Sequence, residues 1–552
     1  MIQNSLLYPK KRGVTFIVFV LSGAGFGLLF DQKSVTVSFF PSIFLFLLPF
    51  FLIAPLSRSE AFLEGAVFGM VANLLGIRWL LGTMENYGHI PWPLAFGGLF
   101  LFSSYLSLYP ALFRYAMFRM HAWRIIDGRP SLTPGTLLLA PTLWVLSEAG
   151  KTEILTGFPW NTLGALLFGH RNFVLPAKVV GTTGLSFLIV LVSALAGISI
   201  DRMLSSRNTP GIRRSATAWI LVTVLTLSVW PLWGRSLSDN PPPGSLPQRD
   251  VALIQGNIPP DQKWTPDHLR SDLGTYLSMS RQETAQGATL LVWPETALPV
   301  FYNAPLPIVT QKLRDLLSSG AYLLTGSIGE IPAPDQPMGV AFTNAAVLYG
   351  PEGDVVANYV KQHLVPFGEY LPLPIIFGWL RPLLGVAGDM AHSDHPARFP
   401  LPGGFSVSPV ICYEALYPSL VRNSLGRHAN ILAVISDDAW FGNTSAPYQL
   451  FRESAMRSVE NGVPMLRAAN TGVSGVVTPN GEVAVSGPLF QTLALRATVK
   501  AGPGNTFYRR HGEWVLKISL LGFLFWLAVL PIARKHGTLG EGKRRRGFFS
   551  RL

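Results

Sequence analysis

Eight stretches of this 552-residue chain are apolar enough to cross a bilayer: residues 13–30, 37–55, 61–82, 92–113, 135–150, 176–199, 216–233 and 514–533. Hydrocarbon offers no hydrogen bonds to a backbone, so such segments are confined to helices packed as a bundle. The fifth is the weakest, because Pro141 interrupts it and Glu148 sits near its end. Composition agrees: 49% of the residues are hydrophobic and only 14% are charged, too few charges to clothe a soluble chain of this length. The formal charge of +13 does not point to nucleic acid, since the basic residues collect in short clusters beside the apolar runs. The first run follows Lys10, Lys11 and Arg12, like the start of a signal peptide. No small-residue cleavage site follows and further spans do, so it reads as an uncleaved anchor.

The loops sort by charge. The N-terminal tail, the 56–60 loop with Arg58, the 114–134 loop with Arg114, Arg119, Arg124 and Arg129, and the 200–215 loop with Arg202, Arg207, Arg213 and Arg214 fall on one side. The tail with Arg534, Lys535, Lys543, Arg544, Arg545 and Arg546 falls there too. The opposite loops hold only Lys33, Lys151 and Arg171. The positive-inside rule makes the arginine-rich side cytoplasmic. The expected organisation is therefore a membrane domain over 1–233, a proline-rich linker over 234–248, an extracytoplasmic domain over 249–513, an eighth span at 514–533 and a basic cytoplasmic tail over 534–552.

Within 249–513 the long apolar runs give way to short ones. Residues 251–257, 289–295, 322–328, 344–350, 407–414, 431–438, 464–470 and 475–485 read as strands, the last with an Asn480-Gly481 turn. Amphipathic helices are expected near 265–286, 306–319, 415–425 and 446–461. Apolar strands alternating with helices imply an α/β layered domain with buried sheets.

Cys412 is the sole cysteine, which excludes an intrachain disulfide and a cysteine-based zinc cage. It ends an apolar strand and enters a turn, where a nucleophile is accessible and close to backbone N–H groups; a buried filler thiol is the alternative. Glu295 closes the strand TLLVWPE, where apolar surroundings raise a carboxyl pKa toward that of a general base for a thiol. Lys361, in NYVKQHLVPFGEYLP, is placed to favour a thiolate or hold an oxyanion, and Glu369 to orient it; a solvated lysine is the bland reading.

Trp293-Pro294-Glu295, Lys361 with PFGEY at 366–370, and Cys412-Tyr413-Glu414 resemble the three signatures of the nitrilase superfamily. With NIPPDQKW at 257–264, SDDAWFG at 436–442, RAANTG at 467–472 and the spans, the chain resembles that superfamily's membrane-embedded branch, the apolipoprotein N-acyltransferases. The branch frequently carries Asn where this chain has Asp437. The resemblance implies an αββα sandwich and a Glu295–Lys361–Cys412 triad without metal or cofactor, supported by Glu369 and Glu414, with Trp264 and Tyr413 shaping the substrate pocket. It also implies a monomeric enzyme of the bacterial inner membrane, its catalytic domain periplasmic. Such an enzyme takes an acyl chain from a phospholipid and passes it through a Cys412 thioester to the α-amino group of a diacylated apolipoprotein.

Three further segments stand out. LPLPIIFGWLRPLLGVA at 371–387 contains three prolines and is too apolar for water; it is expected to dip into the bilayer surface as a gate. FPWNTLG at 158–164 is placed either to floor the active site or to form an interfacial aromatic belt, and Arg78 to lie near the outer interface, within reach of a lipid phosphate. His392, Asp394 and His395 offer too short a set for a metal site. A membrane-tethered amidase is a second reading. A transporter is disfavoured because the runs at 13–30, 37–55 and 92–113 contain no ionisable residue.

Overall fold

A computed structural model of the chain describes residues 12–37, 39, 41–120, 122–126, 129–205, 210–238, 246–260, 262–263, 266–334, 339–378 and 389–535. Among them, four helices are long and apolar enough to cross a bilayer: Arg12–Phe30, Trp92–Arg119, Ala177–Leu204 and Arg214–Ser236. Arg58–Gly76 and Trp79–Asn86 make a fifth if joined across their 53° bend. The other three expected spans are helical but do not meet that standard among the described residues. The second is cut at Pro49 into Ser42–Leu47 and Pro49–Leu52. The fifth, Thr136–Glu153, runs through Pro141 but ends on Glu148, Lys151 and Glu153. The last, Trp514–Lys535, is described with its side chains as far as Ala528 and is apolar over that stretch.

The bundle closes through small residues: a Cβ on Gly65 would stand 2.3 Å from the Pro110 carbonyl of the neighbouring helix, so only glycine permits that approach. One expectation is corrected here. Arg114 belongs not to a cytoplasmic loop but to the helix Trp92–Arg119, fully buried. Its guanidinium pairs with Glu64 at 2.8 Å and bonds the carbonyls of Phe50 and Ile53, which end a neighbouring helix. A charge at that depth is tolerable because every side of it is paired.

The strands, numbered along the chain after a small hairpin of β1 (Trp123–Ile126) and β2 (Arg129–Leu132), form two sheets. The first contains β3 (Gln248–Gln255), β4 (Leu290–Val292), β5 (Leu298–Phe301), β6 (Tyr322–Pro332), β7 (Val340–Tyr349), β8 (Val355–Val360) and β15 (Leu493–Lys500), in the order β15-β3-β4-β6-β7-β8 with β5 alongside β6. The second contains β9 (Phe399–Leu401), β10 (Phe405–Ile411), β11 (Ile431–Ser436), β12 (Met465–Ala469), β13 (Gly475–Val477) and β14 (Val483–Ser486), in the order β14-β13-β12-β11-β10-β9. Strands β3, β4 and β6 run parallel, as do β10, β11 and β12.

Because side chains alternate along a strand, each sheet has two apolar faces. Val251, Leu253, Leu290 and Val292 meet Val407, Ile411, Ile431 and Ile435 of the other sheet. Ala252, Ile254, Leu291 and Leu323 pack outward on Leu273, Tyr276, Val309 and Leu313 of the helices Pro266–Ala285 and Pro307–Leu317. Val410, Leu432 and Val434 pack likewise near Val421, Met456 and Val459 of Pro418–Leu425 and Ala446–Asn461. The layers are helix, sheet, sheet, helix.

The helix Ala446–Asn461 joins this sandwich to the membrane helices. Gln449 accepts from the indole N–H groups of Trp79 (3.0 Å) and Trp160 (2.6 Å) and donates to the carbonyls of Phe30 and Gly76. Arg452 donates to the carbonyls of Phe30 and Ser34. Glu453 accepts from the backbone N–H and hydroxyl of Thr162, and Glu460 from those of Thr182. These positions recur on one helical stripe.

Candidate active site

Cys412 is the first residue after β10, and its φ of +52° places it in the left-handed region that non-glycine residues rarely enter. Strain of this kind persists only where surroundings enforce it. Glu414, in the short 3-10 turn Cys412–Leu416, supplies the enforcement. Its Oε2 accepts the Ile411 N–H at 2.6 Å, while Oε1 accepts the N–H groups of Gln362 (2.6 Å) and His363 (3.1 Å) and the Tyr359 hydroxyl (2.8 Å). One buried carboxylate thus ties the cysteine turn of one sheet to the lysine-bearing chain end of the other.

Lys361 follows β8, is 1% exposed and donates to Glu369 Oε1 at 2.8 Å, with Glu295 Oε1 at 3.5 Å. Glu295 lies two residues beyond Trp293, which leaves β4. A Cβ on Gly326 of β6 would sit 2.5 Å from the Glu295 Cα, so this close backbone approach requires the glycine. The Glu295 carboxylate accepts from Asn344 of β7 at 2.7 Å and from the Asp437 N–H at 2.8 Å. Asn344 also donates to Glu369 at 2.9 Å, and so joins the two carboxylates that flank the ammonium.

Burial pushes the Glu295 carboxyl up, Lys361 pulls it back, and Glu369 reinforces the rise. The Cys412 thiol, 8% exposed, is pushed well above its ordinary value by burial and by Glu295, against the pull of Lys361. Burial opposes the Lys361 charge, but Glu369, Glu295 and Cys412 outweigh it and its pKa rises. The resting arrangement is a neutral thiol beside a permanent ammonium and a carboxyl with heightened proton affinity. Such a set can deprotonate the thiol as it attacks a carbonyl and stabilise the oxygen anion that results.

Tyr413 is buried, with its hydroxyl donating to the Gly157 carbonyl at 3.1 Å and its ring 6.4 Å from that of Trp160. Segment 158–164 therefore lies against the cysteine turn, in a cluster where Trp160 meets Trp79 at 4.8 Å and Phe158 at 5.8 Å. Arg78 occupies the bend between two membrane helices, largely exposed and paired with Asp31 at 2.5 Å. His392, Asp394 and His395 are exposed in a loop. Trp264 and residues 379–387 of the apolar gate segment lie outside the described residues; its earlier part, Ile375 and Ile376, is exposed.

Several residues near the site escaped the sequence reading. Asn344, Lys263, Asn470 and Gln449 are polar residues inside or beside apolar strands and helices, and only tertiary partners distinguish them from surface positions. Asn470 holds the 257–263 loop by bonding both the N–H and carbonyl of Ile258. Asp438 of SDDAWFG is fully paired with Arg467 of RAANTG, which accounts for both motifs as scaffolding of the turn beside Glu295.

Comparison with known proteins places the two halves together. Residues 250–501 match the carbon-nitrogen hydrolase family, and residues 22–195 match the apolipoprotein N-acyltransferase N-terminal domain. The chain is 32% identical over 503 residues to the apolipoprotein N-acyltransferase of Geobacter metallireducens, covering 90% of this chain and 92% of that protein. It is 30% identical over 488 residues to the Shewanella oneidensis protein of the same name, with 85% and 88% covered. An amidase from Nesterenkonia sp. aligns with 49% of this chain and 96% of its own at 22% identity, with a TM-score of 0.35. With its membrane half and its sandwich half both matched, and relatives aligned nearly end to end, this chain belongs to the apolipoprotein N-acyltransferase family.

Proposed function

We propose that the protein transfers a fatty acyl chain from a membrane phospholipid to the α-amino group of the N-terminal S-diacylglyceryl-cysteine of apolipoproteins, by way of a Cys412 thioester. The observation that supports this reading is that Lys361 lies between Glu369 and Glu295, and that Glu295 and Lys361 both act electrostatically on a cysteine held in a strained turn. Glu295 takes the thiol proton as sulfur attacks the donor ester. Lys361 stabilises the tetrahedral oxyanion, which collapses to the thioester. The departing lysophospholipid oxygen receives the proton from Glu295. The acceptor amine then attacks the thioester, Glu295 takes the amine proton and returns it to the leaving sulfur, and the amide product departs. A thioester suits the relay because an amine displaces a thiolate far more readily than an alkoxide.

The charge sorting of the loops supports a catalytic unit on the periplasmic face of the inner membrane with both termini cytoplasmic and eight crossings, the short or bent helices counted. Ile375 and Ile376 lead into a gate for lipid; His392, Asp394 and His395 have no part in the chemistry. The test is incubation of full-length protein with a phospholipid labelled in its acyl chain. We expect a hydroxylamine-sensitive label on the wild-type chain, absent from Cys412→Ser and discharged by a diacylated lipopeptide. Label on the serine variant in equal amount, or none on the wild type, overturns the reading.

A further inference from the structure

Beside Glu295 the structure holds a second buried ion pair. Lys263 Nζ stands 2.5 Å from Asp437 Oδ2, and both residues are almost wholly buried. The pair grips Glu295 twice: Lys263 donates to the Glu295 carbonyl at 2.9 Å, and the Asp437 N–H donates to the Glu295 carboxylate at 2.8 Å. Asp437 Oδ1 accepts from Asn470 at 3.2 Å, so the pair is also anchored to β12 and to the loop that carries Lys263. A buried pair with every polar atom engaged behaves as a neutral unit; loss of one member leaves a bare charge in a poorly solvated place.

We propose that Lys263 and Asp437 are positioning residues that fix the orientation of Glu295 and set its proton affinity by cancelling each other's charge, an inference that rests on the acyl-transfer reading above. The groups that face Glu295 are Lys361 after β8, Glu369 in the following loop, Cys412 after β10, Asp437 after β11 and Lys263 beyond β3, with Tyr276 behind Asp437. Of these, Lys361 is already shared with Glu369 and Cys412. Lys263 therefore offsets a second carboxylate, Asp437, whose charge raises the proton affinity of Glu295. Two adjacent carboxylates raise the proton affinity of one of them, whereas an unpaired ammonium lowers it.

The two single substitutions consequently act in opposite directions. Lys263→Met bares Asp437, so the acid limb of the pH profile for acyl-enzyme formation moves to higher pH. A move of one pH unit makes the reaction about tenfold slower on that limb and restores it as pH rises. Asp437→Asn keeps the backbone N–H but bares Lys263, so the limb moves to lower pH. The double variant, Lys263→Met with Asp437→Asn, leaves no bare charge and returns the limb toward that of the wild type. The experiment measures single-turnover labelling of the full-length protein by an acyl-labelled phospholipid from pH 5 to 9 for the four chains. Opposite shifts of the singles with reversal in the double uphold the proposal. Shifts of the same sign, or four superimposable profiles, overturn it. If Lys263→Met does not fold, Asp437→Asn and the double decide: an acid shift that the second change fails to reverse counts against the proposal. Wild-type protein that forms no label at all refutes acyl transfer itself, so the two failures are distinguishable.

Discussion

Replacing Glu414 by glutamine changes one oxygen and no volume, yet it is expected to disable the enzyme. The side chain is fully buried, and its two oxygens receive one and three hydrogen bonds respectively. A glutamine keeps the three only by setting its oxygen at the Oε1 position, which turns its NH2 group toward the Ile411 N–H. Donor then faces donor. A hydrogen bond to a charged acceptor contributes roughly 1.5–3 kcal/mol, and a stranded buried donor costs about 1–3 kcal/mol, partly the same energy counted twice, so about 2–4 kcal/mol is at stake. The loss falls on the residue before Cys412, whose left-handed backbone stores about 1–3 kcal/mol of strain and relaxes once that bond is gone. Expressed as the fraction of molecules with the thiol in place, about 2–4 kcal/mol is roughly a 30- to 1,000-fold loss. Single-turnover acyl-enzyme formation measures it, with thermal unfolding in detergent as the control for global damage. A Glu414→Gln variant within about threefold of the wild-type rate would refute the argument that this carboxylate holds the turn.

Three other perturbations probe the surroundings of the site. Gln449→Leu strands two indole N–H groups and takes one donor from each of the Phe30 and Gly76 carbonyls, and a lowered melting temperature with slowed acyl transfer is expected; an unchanged melting curve would contradict the docking role. Burial raises Glu453 from an ordinary carboxylate value to about 7. A raised folded pKa stabilises the protonated fold, so its contribution is full below about pH 4.5 and is lost as pH climbs through 7, at most about 3 kcal/mol. Glu453→Gln should therefore narrow the difference in melting temperature between pH 5 and pH 8, and an unaltered difference would refute this assignment. Ile375→Asp with Ile376→Asp places charge on side chains 100% and 58% exposed. Turnover of bilayer phospholipid should fall while alkylation of Cys412 by a small soluble reagent proceeds normally; undiminished lipid turnover would remove the gate.

Local chemistry made the sandwich readable and left its edges obscure. The central strands β4, β10, β11 and β12 are buried on both faces, so they appear as continuous apolar runs bounded by turns. β15 was missed because LALRATVK alternates polar and apolar residues and mixes in Arg496 and Lys500, the pattern of an edge strand. The short strands β5 and β9 carry too few residues to show any period. In the membrane half, hydropathy located the long apolar helices but could not foresee the breaks at Pro49 and at Arg78, nor that Arg114 turns inward to Glu64. Position in sequence marks a basic residue as a loop candidate; only the opposing carboxylate reveals it as a buried pair. The candidate residues were legible only jointly: Glu295 and Cys412 end apolar strands, yet each of these and Lys361 had an ordinary structural alternative, and it was their joint resemblance to the nitrilase signatures that set the three apart.

The same reasoning explains why the sandwich is seated where it is. A membrane helix ends with carbonyls that its own turns cannot satisfy, and at the edge of the hydrocarbon these need partners. Phe30 and Gly76 present such carbonyls at the ends of Arg12–Phe30 and Arg58–Gly76; Gln449, from a helix of the sandwich, meets both, and Arg452 of the same helix also donates to Phe30. The catalytic unit thus completes the membrane helices instead of merely resting on them. Because the cap is built from directional hydrogen bonds, it fixes height and rotation as well as proximity. Trp160, held by the same Gln449, then stands against Tyr413, the residue next to Cys412. On the proposed function, a fixed registry between Cys412 and the membrane helices would serve an acyl ester anchored in a leaflet, whose carbonyl has to reach the sulfur at one depth, and would do nothing for a soluble substrate. Loosening the seam while leaving Glu295, Lys361 and Cys412 intact should therefore slow the proposed reaction with bilayer phospholipid more than alkylation of Cys412 by a small reagent. Equal slowing of both in Gln449→Leu would break the link between seam and substrate.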